Sequence, residues 1–469
     1  DYNGHERMEY ETYQSGINLF HRFTPRFFTE VIASSVLAHE RELRDVAASY
    51  SFLDVMAKNK NRDPNEDVRN LEVGTNFEHA RNNLSAKIFA LENRYTWQPS
   101  NNHELQIGFK SGHEEIKDRL KEYSLLDSAD YVTLDHKLST SLKLSSYRYQ
   151  GYGQHTIKLD SLRNLTYGLR LHYWTVNQEL LLSPRVQYTA VVPNNSNWSY
   201  KLALGIYYQP PFYRELRNKE GILNPELKAQ KSIHLIAGAD YRFLSWSRPF
   251  KLTTEAYFKN LTNVIPYEVD NVRLRYLAQN NAKAYAAGLD VRVNGEFIKG
   301  AESWFSLGIL TTKEDISGDS TTFDLKTFEP VNKRPIGYIR RPTDQRVTFG
   351  VFFQDHIPDN PTLKMYLNGV VGTGLPFSPP GKEAIRNQFQ MPFYKRVDIG
   401  FSKLISFQTF PSDTGVHLES LWLSLEVLNL IAANNVVSYN YVKDVRNVTY
   451  AVPNYLSSRL LNIRVIAQF

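Results

Sequence analysis

The last ten residues of the chain, LLNIRVIAQF (460–469), alternate between apolar and polar side chains. One face of an extended strand collects apolar side chains only, those of Leu461, Ile463, Val465, Ala467 and Phe469. The other face carries polar side chains interrupted by one isoleucine, namely Asn462, Arg464, Ile466 and Gln468. An arginine at the midplane of a bilayer costs roughly 2 to 4 kcal/mol, whereas an arginine facing water costs little. The segment therefore predicts a strand with lipid on one face and water on the other.

The same period of two recurs along the chain, and helical periodicity of matching quality is not evident. Clear examples are GLDVRVNGEF (288–297), RVTFGVFFQD (346–355), RVDIGFS (396–402) and LWLSLEVLN (421–429). Runs of about 10 to 15 residues suit a tilted crossing of a bilayer, whereas strands of soluble sandwiches typically have about five or six residues. A soluble sandwich is the alternative for any single strand, but the sustained length favours a membrane barrel.

The connections between these runs alternate in length. Short ones, rich in turn residues, lie at 24–25, 98–102, 192–197, 245–249, 299–302 and 355–361. Long polar ones lie at roughly 43–81, 114–137, 209–230, 263–283, 313–343, 373–394 and 431–454. The connection near 177–179 is short, although the alternation predicts a long connection at this place. Short turns at one rim and long loops at the other are typical of outer-membrane barrels.

The fold predicted is all-β, a transmembrane antiparallel barrel with about 17 strands in this chain. They lie near 11–23, 27–42, 82–97, 103–113, 138–157, 164–176, 180–191, 198–208, 231–243, 251–262, 284–298, 303–312, 344–355, 362–372, 395–407, 417–430 and 455–469. An odd number of strands, with the first and last parallel, cannot close an antiparallel barrel. We therefore expect residues 1–469 to be the C-terminal portion of a longer barrel.

Composition argues against several classes of protein. The chain has 469 residues, 29 tyrosines, 26 phenylalanines and no cysteine, so disulfides and thiolate metal sites are excluded. The net charge of +6 is spread among interspersed acidic and basic residues, which does not indicate a nucleic-acid partner. HEEIK (113–117) lacks the second histidine of a zinc motif, and no nucleophile elbow or phosphate loop is present. We expect no enzyme activity, cofactor or metal site.

Several segments resemble TonB-dependent outer-membrane receptors. LTYGLRLHYWTVNQELLLSPR (165–185) resembles their G-L-R…S-P-R segment, and YQPPFYREL (208–216) with NPELKAQKS (224–232) resembles their R-x-P…N-P-x-L-K-x-E stretch. Gln209 and Gln230 depart from the usual arginine and glutamate. Further matching segments are 251–267, 284–293, 340–349, 372–381 and the terminal IAQF. The resemblance covers nearly the whole chain and is greatest to Bacteroidota-type receptors.

The resemblance implies an integral protein of the bacterial outer membrane with a 22-stranded barrel, a plug domain and a TonB box. The plug and the first strands would lie outside this chain. The implied partners are the TonB–ExbB–ExbD complex, a nutrient, outer-membrane lipid and, in some receptors, a surface lipoprotein. Phe469 resembles the terminal aromatic that the barrel-assembly machinery recognises, and a girdle aromatic at the membrane interface is a compatible role.

Two sets of loop residues are candidates for binding. Aromatic-rich loops suit ligand capture, and their candidates are Phe212, Tyr213, Arg214, Phe393, Tyr394, Tyr439 and Tyr441. A basic cluster at the outer rim suits lipopolysaccharide phosphates, ligand or solvent, and comprises Lys333, Arg334, Arg340 and Arg341. The function expected is active import of a scarce nutrient. The alternatives are a passive pore or protein-secretion conduit, and a barrel-embedded hydrolase, for which no catalytic residues are found.

Overall fold

A computed structural model describes residues 2–53, 70–127, 132–298, 301–324, 330–357, 360–379, 383–406, 420–443 and 449–468. Most of these residues lie in β-strands. The helical elements are one α-helix of four residues, α1 (Tyr213–Leu216), and a 3-10 turn at Glu383–Ile385. Within the described ranges, no helix is both long enough and apolar enough to cross a membrane.

The first ten strands are β1 (Tyr2–Thr24), β2 (Phe27–Leu53), β3 (Asn70–Ser100), β4 (His103–Asp127), β5 (Val132–Lys158), β6 (Arg163–Trp174), β7 (Leu180–Val192), β8 (Asn195–Gln209), β9 (Gln230–Ser245) and β10 (Arg248–Val264). The next eight are β11 (Tyr267–Asp270), β12 (Arg273–Tyr276), β13 (Ala282–Ile298), β14 (Ala301–Ile316), β15 (Thr321–Phe323), β16 (Pro330–Arg334), β17 (Ile339–Arg340) and β18 (Val347–Ile357). The last eight are β19 (Asn360–Gly372), β20 (Pro376–Phe377), β21 (Phe389–Gln390), β22 (Tyr394–Ser406), β23 (Ser420–Leu428), β24 (Val436–Lys443), β25 (Thr449–Tyr455) and β26 (Leu460–Gln468).

One antiparallel sheet of 18 strands forms the wall of the barrel. It contains β1–β10, β13, β14, β18, β19, β22, β23 and β26, each paired with the next, and the two-residue β17 paired with β14. The long strands match the strands predicted from the sequence, which confirms the all-β fold. Within the described residues, no backbone pairing joins β1 to β26. The further strands and the total of 22 stay predictions.

The prediction of where loops begin is wrong for the first strands. Segments 43–53, 70–81, 114–127 and 132–137 were predicted as loop, but they extend β2, β3, β4 and β5. With about 3.3 Å per residue, the 31 residues of β3 far exceed the thickness of a bilayer. These strands are therefore longer than a crossing of a bilayer requires, and they extend far toward the long-loop rim. Pairing continues through the extensions with irregularities at 50–51 and 124–125. Charged residues such as Asp45, Lys117 and Arg119 interrupt their outward face, so this part of the sequence resembles solvated loop.

The two faces of the wall differ as the alternation predicts. In β26, Leu461, Ile463 and Val465 are 62%, 66% and 63% exposed on the outer face. On the lumen face, Asn462 donates to a Glu426 carboxylate oxygen at 2.7 Å, and Arg464 lies 3.1 Å from the same carboxylate. Apolar side chains thus face outward, and charged side chains pair within the lumen.

Aromatic rings cover glycines on neighbouring strands. Gly400 lies directly opposite Tyr366, and a Cβ at Gly400 would lie 2.1 Å from a ring carbon of that tyrosine. The same relation holds between Gly108 and Tyr152, again at 2.1 Å. Only a residue without a Cβ leaves room for such a ring. These pairs help to fix the register of the wall.

Several connections at the long-loop rim contain small hairpins of their own. The pairs are β11 with β12, β15 with β16, β20 with β21, and β24 with β25. They lie in the connections that follow β10, β14, β19 and β23, respectively. The predicted long loops in this half of the chain are therefore ordered structures that can carry a site.

Candidate functional site

The connection between β8 and β9 (210–229) packs against the lumen face of the wall through a small apolar core. Leu216 and Leu227 of this connection pack with Trp174 of β6 and Ile265, and each is at most 2% exposed. Burying a leucine side chain contributes about 1.5 to 3 kcal/mol. The connection is therefore held in place by its own core.

Trp174 anchors this core to the wall. Its indole N–H donates to Ser146 Oγ at 2.9 Å and to Glu114 Oε1 at 3.1 Å. The guanidinium carbon of Arg148 lies 3.9 Å from the indole ring centre, and its Nε lies 3.1 Å from Glu114. Arg148 also donates to the carbonyl of Pro211 at 3.1 Å, which ties the start of the connection to β5.

Helix α1 and its flanks bring three polar side chains to the wall. The Tyr213 hydroxyl donates to Asp118 of β4 at 2.9 Å, and Arg217 forms an ion pair with the same carboxylate. Arg214 lies 2.8 Å from Glu40 of β2. Burial, and next the negative charge of Asp118, raises the pKa of the Tyr213 phenol above its ordinary value. The phenol therefore remains a hydrogen-bond donor.

The β11–β12 hairpin makes a second set of contacts with the same part of the wall. Arg273 forms ion pairs with Glu42 of β2 and Glu122 of β4, and Arg275 lies 3.3 Å from Glu122. Asn82 of β3 donates to both carboxylates, at 2.8 and 2.7 Å. Burial acts to lower the pKa of Arg273, but Glu122 and Glu42 raise it above its ordinary value. The guanidinium is therefore held charged.

These contacts form what we call the arginine latch. Its members are Arg214, Arg217, Arg273 and Arg275, with Glu40, Glu42, Asp118 and Glu122. Strands β5 to β9 lie between β4 and β10 in the wall, so the latch joins separated parts of the barrel. Lys219 and Glu268, 2.6 Å apart, link the two latch connections to each other. The latch thus holds both connections across the mouth of the lumen.

Next to the latch, the connections after β10, β14, β19 and β23 surround a small cleft that is partly open to solvent. We call it the aromatic cleft, and its apolar lining includes Val269, Leu375, Phe377, Met391, Tyr439 and Tyr441. The rings of Phe377 and Tyr439 are stacked, with centres 4.3 Å apart. Ser438 donates to Asn271, which fastens β24 to the turn of the β11–β12 hairpin.

A buried group of charges lies at one side of the aromatic cleft. Arg386, which lines the cleft, is 6% exposed and lies 3.2 Å from Glu314. Arg341 lies 3.2 Å from the other oxygen of the same carboxylate. Two arginines therefore share one carboxylate, and Nε of Arg386 has no hydrogen-bond partner among the described residues. Positive charge beside stacked rings suits a ligand that has both apolar and anionic or carbonyl groups.

The structure brings only some of the predicted ligand residues together. Tyr439 and Tyr441 line the aromatic cleft. Phe212 is 45% exposed and packs edge-on against Tyr276, while its neighbours Tyr213 and Arg214 belong to the latch contacts. Phe393 and Tyr394 are placed apart from the cleft lining: the first is 65% exposed and the second begins β22.

The predicted basic cluster is divided among different surroundings. Lys333 and Arg334 are exposed on β16, where Arg334 lies 2.8 Å from Asp324. Arg340 donates to the carbonyl of Gln388 at 3.2 Å, and Arg341 pairs with Glu314 as described above. Phe469, the predicted assembly signal, lies outside the described residues.

Sequence reasoning missed most of the latch and part of the cleft. Phe377 lies in a segment that resembles the family, and Arg386 lies in none, but neither pattern indicates a ligand site, because their positions depend on how four connections meet. Gln230, noted only as a departure from the usual glutamate, donates to Glu215 at 2.9 Å. Burial raises the pKa of Glu215, so a second carboxylate at position 230 would be unfavourable there. Among the described residues, no group of acidic and histidine side chains is arranged to hold a metal ion.

Comparison with solved structures shows similar barrels. The chain aligns with the ferric-catecholate import receptor Fiu from Escherichia coli K12 at a TM-score of 0.65 and 12% identity, covering 98% of this chain and 64% of that one. It aligns with the siderophore receptor PiuA from Acinetobacter baumannii at a TM-score of 0.63 and 12% identity, covering 98% of this chain and 65% of that one. It aligns with the outer membrane transporter YddB from Escherichia coli at a TM-score of 0.53 and 10% identity, covering 97% of this chain and 75% of that one. Such low identities establish a shared fold only.

The sequence has no significant match among curated proteins. Residues 50–430 match the family described as TonB dependent receptor-like, beta-barrel. This match covers most of the chain, and it agrees with the antiparallel wall, the alternating faces and the long connections at one rim. The chain therefore belongs to the TonB-dependent receptor-like β-barrel family.

Proposed function

We propose that this protein is an integral outer-membrane receptor that binds a scarce nutrient at its long loops and imports it with energy from TonB–ExbB–ExbD. The observation that carries the proposal is the aromatic cleft, where four connections of the long-loop rim meet beside the lumen. A passive pore would not require a cleft lined by aromatic side chains at its entrance. Import is also the role named for Fiu, the similar structure described above.

In this proposal, nutrient binds in the aromatic cleft. Phe377, Tyr439 and Tyr441 offer ring faces and edges, and Arg386 offers positive charge at the wall of the cleft. Enclosure by apolar rings with a few polar groups is the usual composition of a small-molecule site. The latch keeps the two neighbouring connections in place, so the cleft is formed before the ligand arrives.

Energy coupling in this proposal uses the plug and TonB box that the family resemblance implies for the full protein. Recognition of Phe469 by the barrel-assembly machinery, which the family resemblance implies, also belongs to this proposal. A surface lipoprotein is a compatible additional partner at the long-loop rim. The Bacteroidota-type character suggested by the sequence motifs belongs to this proposal as well.

The test compares nutrient depletion from the culture medium by cells that make the full-length protein, with and without TonB. Mass spectrometry of the medium identifies compounds that are removed only when the protein is present. We expect TonB-dependent depletion, and we expect the variant Y439A/Y441A to lower its rate by about tenfold or more, because it removes two rings of the cleft. The control variant is F393A, since Phe393 is an exposed aromatic outside the cleft lining.

Two outcomes would contradict the proposal. Depletion that continues at the same rate in cells without TonB would indicate a passive pore. Equal loss of depletion in the Phe393 variant and the cleft variant would place binding elsewhere on the loops. Surface levels of each variant, measured by labelling intact cells, separate lost transport from failed assembly.

A further inference from the structure

The aromatic cleft is lined by a guanidinium whose hydrogen-bond donors are not all used. Nη2 of Arg386 donates to the carbonyl of Tyr267 at 2.7 Å and lies 3.2 Å from the Glu314 carboxylate. Nε of the same side chain is buried and has no hydrogen-bond partner among the described residues. A buried donor that makes no hydrogen bond is destabilising, and more so on a charged group. A ligand oxygen that reaches this guanidinium would relieve that cost.

The charges around the cleft leave a positive excess. Among the described residues, the charged side chains in the lining are Glu268 and Arg386. Glu268 lies 2.6 Å from the Lys219 ammonium, whereas Arg386 shares the Glu314 carboxylate with Arg341. Three cations and two carboxylates leave one positive charge in excess. Because the side chains of Arg386 and Glu314 are only 7% and 1% exposed, solvent ions screen this charge weakly. The cleft therefore favours a ligand group with a single negative charge.

The other side chains of the lining are largely apolar or aromatic. Phe377 and Tyr439 stack on each other, and Tyr441, Leu375 and Met391 lie in the same lining. Aromatic rings attract a further ring, edge-on or offset, beyond what burial of apolar area supplies. Ser438 and Asn271, two of the polar residues in the lining, are hydrogen-bonded to each other. The cleft thus combines a surface for one ring with a site for one anion.

We propose that the aromatic cleft recognises an aromatic ring that carries a single carboxylate, as a free aromatic acid or as the C-terminal aromatic residue of a peptide. The inference rests on the proposed function, because it names the chemical group by which the nutrient is held. Arg386 is the specificity-determining residue, since its guanidinium contacts the carboxylate. Phe377, Tyr439 and Tyr441 contact the ring.

The test measures dissociation constants of small probes for the full-length protein, purified in detergent, by ligand-observed NMR. Phenylacetate carries a ring and a carboxylate, phenylacetamide replaces the carboxylate with a neutral amide, and cyclohexylacetate replaces the ring with a saturated one. We expect phenylacetate to bind at least tenfold more tightly than phenylacetamide, because hydrogen bonds between charged groups are stronger than neutral ones. We expect it to bind about threefold more tightly than cyclohexylacetate, because only the phenyl ring gains aromatic contacts.

A further probe, N-acetylphenylalanine, distinguishes the two sources of this group. It carries the same ring and carboxylate, together with the amide of a peptide end. Tighter binding than that of phenylacetate identifies the end of a peptide as the ligand, and weaker binding identifies a free aromatic acid.

The variant R386Q should bind phenylacetate and phenylacetamide equally, because it removes the charge that selects the carboxylate. The matched control is R340Q, since the Arg340 guanidinium donates to the carbonyls of Gln388 and Phe389 and lies outside the cleft lining. It should keep the wild-type preference. The inference is overturned if R386Q keeps the preference or if both variants lose it.

The wild-type protein provides a comparison that needs no variant, so it stands even if R386Q fails to fold. Equal binding of phenylacetate and phenylacetamide, or tighter binding of cyclohexylacetate, would overturn the inference. A protein that prefers phenylacetate but shows no TonB-dependent depletion would contradict only the proposed import. TonB-dependent depletion by a protein without this preference would contradict only the inference about the ligand.

Discussion

Arg273 of the β11–β12 hairpin lies between Glu42 of β2 and Glu122 of β4 and forms ion pairs with both. The two carboxylates are 17% and 9% exposed, so they are poorly solvated without the guanidinium. Five wall strands, β5 to β9, separate β4 from β10, which carries the hairpin. One side chain thus ties the connection that follows β10 to two strands in another part of the wall.

The variant R273Q should loosen the β11–β12 hairpin. Charged hydrogen bonds of this kind contribute about 2 kcal/mol, and Arg275 and Asn82 remain to compensate in part. We expect hydrogen exchange in residues 267–276 to accelerate by about thirtyfold. The control is R214Q, because Arg214 is 57% exposed and its pair with Glu40 should contribute less than about 1 kcal/mol. Unchanged exchange in the Arg273 variant would show that the latch does not hold the hairpin.

The variant Y213F should expose the connection after β8 to protease. It removes the hydroxyl that donates to the buried Asp118 carboxylate, which costs about 1.5 kcal/mol even though Arg217 stays. We expect trypsin to cleave after Arg217 about tenfold faster in the folded protein. The variant Y200F is the control, since Tyr200 is 48% exposed and its cross-strand neighbours are Ala190 and Ala239, which are not part of the latch. A cleavage rate equal to that of the wild-type protein would mean that this hydrogen bond is not needed.

Alanine at Gly400 should destabilise the barrel wall. The added methyl group would overlap the ring of Tyr366, which must leave its position at a cost of about 1 to 3 kcal/mol. We expect a lower urea midpoint for unfolding in detergent. Alanine at Gly153 is the control, because nothing lies within 4 Å of a Cβ at that position. Similar midpoints for the two variants would argue against the ring–glycine pairs as register devices.

Tyr441 should give the aromatic cleft a dependence on alkaline pH. Burial, and next the charges of Tyr439 and Asp270, raises the pKa of Tyr441 to about 12. An unfolded tyrosine ionises near pH 10, so the folded state binds more protons between about pH 10 and 12. Its contribution to stability is therefore complete below pH 10 and is lost as pH rises through 12.

Ultraviolet titration checks this prediction. The difference in tyrosinate absorbance between the wild-type protein and Y441F should appear only near pH 12, because the other tyrosines are common to both. A difference that appears fully near pH 10 would place the Tyr441 phenol in solvent. In that case, the residue would not line an enclosed cleft.

The strands of the wall could be predicted from the sequence because the alternation that encodes each strand lies within that strand. Alternation in segments such as 288–297 and 460–469 fixes which side chains share a face, and the short turns pair strands such as β3 and β4 directly. Prediction was wrong for segments such as 114–127, where β4 continues as a strand through residues predicted as loop. There the outward residues are Lys117, Arg119 and Lys121 instead of apolar ones, so the amphipathic signal ends before the strand does.

The candidate site was only partly accessible to sequence reasoning. Aromatic-rich loops pointed to Tyr439 and Tyr441, which line the cleft, but also to Tyr213, which contacts Asp118 instead. A tyrosine in a polar loop has the same local sequence character in either role. Its partner, and hence its role, depends on which surface the loop meets.

By itself, the sequence determined the architecture of this protein: an antiparallel barrel wall with an apolar exterior and a polar lumen, and long connections at one rim. These features are encoded by a two-residue period and by neighbouring strands, so they need no long-range information. Only the tertiary structure decided the latch and the aromatic cleft. Arg273 and Glu42 are 231 positions apart, and their contact exists because the wall curves and the loops fold inward.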